Sequence, residues 1–200
     1  MRNFSFFGAV KALGMAVLLL SACASRPDER FYMLEAVSQS AHSGPPAGDI
    51  PTIGIGPIEI PAYLRRPQIM IKVRPNELML NEDALWAEPL EEAVPRVIAL
   101  DLAALTGATV EIDPWRRAQG FAFRLSAKLT RLDGVPGGEA VLDVHWVLED
   151  ERGVYPLITR DTHLSRPVGQ DGFNTLAEAY SGLLADFSRE IAQEFLRLPR

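Results

Sequence analysis

Two helical stripes and a run of three period-two strands predict an α/β fold of the α+β type. The expected architecture is a single domain, with a mixed, mostly antiparallel sheet packed by two amphipathic helices. Between residues 86 and 105, Trp86, Leu90, Val94, Val97, Ile98, Leu102 and Leu105 recur at three- and four-residue steps. Between 174 and 198, Leu176, Tyr180, Leu183, Leu184, Phe187, Ile191 and Phe195 do the same. Between them, residues 121–132, 140–148 and 154–164 alternate apolar and polar side chains, with turn residues at each junction. At 200 residues, 48% apolar and 23% charged, the chain has ordinary globular composition and the size for one core.

The first element is a leader. Arg2 and Lys11 are the only charges before Arg26, and residues 12–20 are apolar, far short of the ~20 residues a spanning helix needs. The stretch ends Leu20-Ser21-Ala22-Cys23, the form of a bacterial lipobox. Cleavage before Cys23 would leave its thiol to carry a diacylglycerol, and Cys23 is the one cysteine in the chain. Two or more acyl chains hold a protein stably on a membrane, at about 0.8 kcal/mol per buried methylene. The expected organisation is a signal peptide over 1–22, a lipidated tether over 23–30 and one domain over 31–200. Losing Arg2 and Lys11 with the signal would take the net charge from −6 to −8. No other run approaches membrane-spanning length.

The elements of the body follow in order. Residues 31–37 read as a strand, and 38–51, with His42, Gly44, Pro45, Pro46 and Gly48, as a loop. Residues 52–60 form a strand that Pro57 places near an edge or breaks with a bulge. Residues 68–74 and 77–80 add a strand and its short return. The first helix runs over 86–105, with Trp86 opening its core stripe, Pro89 in its first turn, Pro95 loosening its middle and Gly107 stopping it. A short strand at 109–112 precedes the three-strand meander, and the second helix closes the chain.

Catalytic signals are missing. His42, His145 and His163 fall in no HExxH, HxH or Cys/His pattern, so no metal site is expected. No Gly-x-Ser-x-Gly elbow or phosphate-binding loop is present. Gly54-Ile55-Gly56 is only part of a dinucleotide fingerprint, since Pro57 follows and no helix starts there. The acidic balance of 26 Asp+Glu against 20 Lys+Arg argues against nucleic acid as a partner. The expected reading is therefore no enzyme and no cofactor beyond the covalent lipid on Cys23. The segment that stands out is 61–67: two prolines bracketing Tyr63, Leu64, Arg65 and Arg66. Tyr and Arg are enriched at interaction hot spots, so Tyr63, Leu64, Arg65, Arg66 and Pro67 form the candidate partner-binding loop. The alternative is a loop whose Tyr63 and Leu64 cover one end of the core.

Three segments then carry a family resemblance. They are Ile53-Gly54-Ile55-Gly56-Pro57-Ile58-Glu59-Ile60-Pro61, Tyr63-Leu64-Arg65-Arg66-Pro67-Gln68-Ile69 and Trp86-Ala87-Glu88-Pro89-Leu90. Together with the lipobox and Phe31-Tyr32-Met33-Leu34, they resemble the ABC-type transport auxiliary lipoprotein family, also called membrane integrity-associated transporter subunits. Arg65 stands where members commonly carry an acidic residue. The resemblance implies a lipoprotein exported to the outer membrane, with Ala24 permitting export, and facing the periplasm. It also implies a non-catalytic adaptor role, docking a mammalian-cell-entry (MCE) domain channel protein of a lipid transport system between the two membranes. An independent periplasmic lipid-binding carrier, or an envelope-assembly lipoprotein, is the alternative.

Overall fold

The computed structural model describes residues 28–36, 52–114, 121–150, 153 and 156–198. The signal, Cys23, His42 and the 38–51 loop lie outside them.

Strands β1 (Arg30–Tyr32), β2 (Thr52–Glu59), β3 (Gln68–Arg74) and β4 (Glu77–Trp86) precede helix α1 (Leu90–Thr106). Strands β5 (Thr109–Ile112), β6 (Phe123–Gly134), β7 (Glu139–Asp150) and β8 (Pro156–Pro167) precede helix α2 (Phe173–Arg197). The expected fold class holds, but the strands divide between two hydrogen-bonded sheets. One has the order β1-β4-β3, the other β5-β2-β6-β7-β8. β6, β7 and β8 form the anticipated antiparallel meander, while β2 runs parallel to both β5 and β6.

Both helices bury their stripes in one core. Leu90, Val94, Val97, Ile98 and Leu102 of α1 and Leu176, Tyr180, Leu183, Leu184, Phe187 and Ile191 of α2 are all but inaccessible. They meet Leu125, Leu129, Leu142, Val144, Trp146 and Leu148 from the meander. Trp146 packs edge-on to Phe187, with ring centroids 6.2 Å apart. Its indole N–H donates to Thr162 Oγ1 at 3.0 Å, so the largest core side chain leaves no orphaned donor.

Several boundaries differ from the sequence expectation, each for a local reason. The first strand stops at Tyr32, because β4 ends at Trp86 and the Ala87 N–H closes the ladder on Tyr32 O at 2.7 Å. β4 is ten residues long, not four, and Trp86 is its last residue rather than the first of the helix. Pro89 is the reason: the residue before a proline is pushed out of the α region, so the helix opens at Leu90 with Pro89 as its cap. Gly107 stops α1 in the left-handed conformation, φ 70°, as anticipated. Pro57 lies in a central strand, not at an edge. It is tolerated in a bulge, where the pairing with β6 skips between Ile55 and Ile58. β8 runs on to Pro167, three residues beyond the expected end at Leu164.

The two glycines of Gly54-Ile55-Gly56 serve this strand. A Cβ on Gly54 would press on the Phe121 ring at 3.1 Å. Gly56 has φ +138°, and a Cβ there would fall 2.5 Å from Asp113 Cβ.

Candidate functional site

The 61–67 loop joins β2 of the large sheet to β3 of the small one. Pro61 leads into a single 3-10 turn, Ala62–Leu64, closed by Leu64 N–H to Pro61 O at 3.0 Å and Arg65 N–H to Ala62 O at 3.2 Å. The turn divides the loop's side chains. Leu64 goes into the core. Tyr63 lies half-buried, and its hydroxyl accepts the Leu132 N–H at 3.1 Å and donates to Leu132 O at 3.4 Å. β2 pairs with β6 only as far as Lys128, so beyond it the tyrosine hydroxyl stands where a neighbouring strand's backbone would. Burial pushes the Tyr63 hydroxyl above its ordinary pKa, against the lowering effect of the Leu132 hydrogen bond.

Arg65, Arg66 and Pro67 face solvent. Arg65 Nε lies 3.0 Å from Glu91 Oε1 in the first turn of α1, which ties the loop's exposed shoulder to the helix start. Both partners are half-exposed, so the pair contributes at most about 1 kcal/mol. The loop therefore has a fixed inner half, Tyr63 and Leu64, and an outward half of two arginines and a proline. The alternative sequence reading, Tyr63 and Leu64 covering one end of the core, describes the inner half; the bond of Tyr63 to Leu132 that fixes it was not legible in the sequence.

Beside the loop lies a charge network the sequence did not signal. Arg131 makes a two-pronged pair with Asp133, Nε to Oδ2 at 2.8 Å and Nη2 to Oδ1 at 2.7 Å. Lys72 of β3 reaches the same carboxylate at 3.5 Å. The hydrogen bond to Asp133 raises the Arg131 pKa further. Lys72 is 61 residues before Asp133 in the chain, and the pairing of β6 with β7 shifts register between Leu129 and Arg131, just before the pair.

His145 and His163 lie on the solvent face of the meander. His145 Nδ1 is 2.8 Å from Asp161 Oδ1, and His163 Nδ1 contacts Asp143 Oδ1. Each histidine faces its carboxylate across the β7–β8 ladder. Among the described residues no group of three or more His, Cys, Asp or Glu could hold a metal ion. Trp86 is buried, stacked on Tyr180 with centroids 6.0 Å apart.

A surface cleft of about 420 Å³ runs between β1 and α2. Phe31 and Met33, 62% and 50% exposed, form one wall, and Arg166, Asn174 and Glu178 form the other. The Arg166 guanidinium lies across Gly182 and donates to Asp186 at 2.7 Å. Among the described residues, no helix is long and apolar enough to cross a membrane.

Comparison with known proteins adds to this geometry. A family model described as ABC-type transport auxiliary lipoprotein component matches residues 32–192. The intermembrane transport lipoprotein PqiC of Escherichia coli K12 is 25% identical over 187 residues, which cover 92% of this chain and 96% of that protein. PqiC of Shigella flexneri matches equally. A crystal structure of an uncharacterised protein superposes with TM-score 0.68 at 20% identity, covering 84% of this chain and 99% of the other. Protein XCC0632 of Xanthomonas campestris does so with TM-score 0.65 at 15% identity, over 84% and 95% of the two chains. These two structures share the fold.

Proposed function

The chain belongs to the ABC-type transport auxiliary lipoprotein family, and from that premise we propose that it is a non-catalytic adaptor of an intermembrane lipid transport system. The observation that carries this reading is the extent of the match: the family model spans residues 32–192, and the PqiC similarity runs nearly end to end in both chains. In this reading Cys23 carries the lipid and holds the body on the outer membrane, facing the periplasm.

The mechanism is geometric. The lipid fixes one end of the chain, and the folded body presents a preformed surface to a channel component of the MCE type. The outward half of the 61–67 loop suits that role. Tyr63 and Leu64 hold its backbone against β6 and the core, so Arg65, Arg66 and Pro67 are presented with little freedom left to lose on binding. Arginines so placed suit an acidic or carbonyl-rich partner surface.

Separation of inner and outer membranes on a density gradient tests the anchor. The full chain should sediment with the outer membrane and carry lipid on Cys23 by mass spectrometry, and Cys23→Ala should be released to the soluble periplasmic fraction. A chain found in the inner membrane, or a Cys23→Ala form that remains membrane-bound, would overturn the localisation.

A further inference from the structure

The β3–β4 hairpin projects from the body with apolar side chains exposed on both of its faces. Val73, Leu78, Met79 and Leu80 are 39%, 37%, 47% and 36% exposed, and every residue from Val73 to Leu80 is open to solvent. Four neighbouring apolar side chains at the tip of a projecting hairpin mark a contact surface rather than scattered exposure.

The pairing of β1 fixes which way this tip points relative to the chain's start. β1 runs parallel to β4, with Arg30 opposite Ala84 and Tyr32 opposite Trp86. Chain upstream of Arg30 therefore departs from the part of β4 that leads back to the tip. Cys23 lies seven residues before Arg30, a reach of at most about 25 Å. Glu77, at the tip, lies seven residues before Ala84, about 23 Å along the strand. Fully extended, the seven residues from Cys23 to Arg30 would therefore span as far as the hairpin tip lies from Ala84.

We propose that the β3–β4 hairpin tip, through Val73, Leu78, Met79 and Leu80, seats in the phospholipid surface that holds the Cys23 lipid. This rests on the reading of Cys23 as the lipidated residue. The tip's charge suits a lipid surface. Within residues 73–80 the charges are Arg74 and Glu77, paired at 3.0 Å, so the tip itself is neutral, with the exposed Glu82 two residues further along β4. With the lipid and the hairpin both engaged, the body would be held at two points, which fixes its tilt as a single flexible tether cannot.

The test uses the full-length lipidated chain in phosphatidylcholine–phosphatidylglycerol vesicles. Met79→Cys carries a polarity-sensitive thiol dye, and Leu157→Cys, exposed on β8, serves as the reference site. Cys23 is blocked by its own lipid, so the dye reports the introduced position. The expected result is blue-shifted emission at position 79, quenching by nitroxide lipids and shielding from aqueous iodide, with the reverse at 157. A vesicle-bound protein whose position-79 dye is as open to iodide as that at 157 overturns the proposal and leaves the anchor intact. Shielding that grows with protein density without lipid quenching assigns the tip to a second copy and also overturns it. Failure to float with vesicles, with the dye reacting at Cys23 of the unmodified chain, sinks the anchor reading and this proposal together.

Discussion

Tyr63, half-buried, and Tyr180, fully buried, should respond oppositely to loss of the hydroxyl. The Tyr63 hydroxyl satisfies both backbone groups of the buried Leu132, so Tyr63→Phe orphans a donor and an acceptor at once. We expect it to lower stability by about 1–3 kcal/mol in urea unfolding. The Tyr180 hydroxyl is buried, with no hydrogen-bond partner among the described residues. Tyr180→Phe should therefore be neutral or stabilising by about 1 kcal/mol in the same assay. Burial raises the pKa of both hydroxyls above the ordinary value of 10.0. A raised folded-state pKa means that the unfolded chain gives up its protons first. That part of the stability is intact below pH 10 and is lost as pH rises above it. An alkaline unfolding series should show the loss, and the double phenylalanine variant should show less of it. The importance of Tyr63 was legible in its place between prolines beside two arginines. Its bond to Leu132, 69 residues away, was not, because nothing local marks where β2 leaves β6 unpaired.

At the scale of elements, the strand–helix alternation and the meander could be read from periodicity, since both faces of β6 and β7 keep strict alternation for most of their length. What could not be read was pairing. Three-residue β1 finds β4 in parallel, a pairing that no local signal announces, and Trp86, which Pro89 keeps out of the helix, ends β4 opposite Tyr32 and stacks on Tyr180. Likewise, Pro57 offered two sequence readings, and only the presence of β5 on the far side of β2 decides for the bulge. The bulge depends on Gly56, so Gly56→Ala, with a positive φ and a Cβ crowding Asp113, should cost about 1–3 kcal/mol or more in thermal or urea unfolding. Asp186 of α2 takes a hydrogen bond from Arg166 of β8 and another from Arg189 of its own helix, one of several polar contacts between β8 and α2. Burial alone would raise this carboxyl, but the two guanidinium groups outweigh it and hold the pKa below its ordinary 3.8. A depressed folded-state pKa contributes stability that is complete above the unfolded value and disappears as pH falls through the folded one. Asp186→Asn should therefore flatten the acid limb of the stability profile while leaving the alkaline limb unchanged.

For the whole molecule, the central claim is that a lipid-held body presents a fixed surface to a channel protein. Its parts are separable. The fold serves as the rigid platform, with one continuous core running from Leu34 through both helices to the meander. If, as proposed, the outward arginines of the 61–67 loop supply the contact, Arg66→Glu should weaken partner recovery by tenfold or more without changing the unfolding midpoint, while Arg65→Glu should weaken recovery and also lower the midpoint slightly, because it loses the pair with Glu91. Tyr63→Phe should weaken partner recovery only as far as it loosens the loop. The measurement that bears most directly on the account is crosslinking and affinity purification of the full chain from membranes in mild detergent, followed by mass spectrometry. The account predicts an MCE-domain channel protein as the dominant companion, depleted when Arg65 and Arg66 are reversed. Recovery of phospholipid alone in stoichiometric amount, with no protein companion even after crosslinking, would contradict it and make the chain a lipid carrier in its own right.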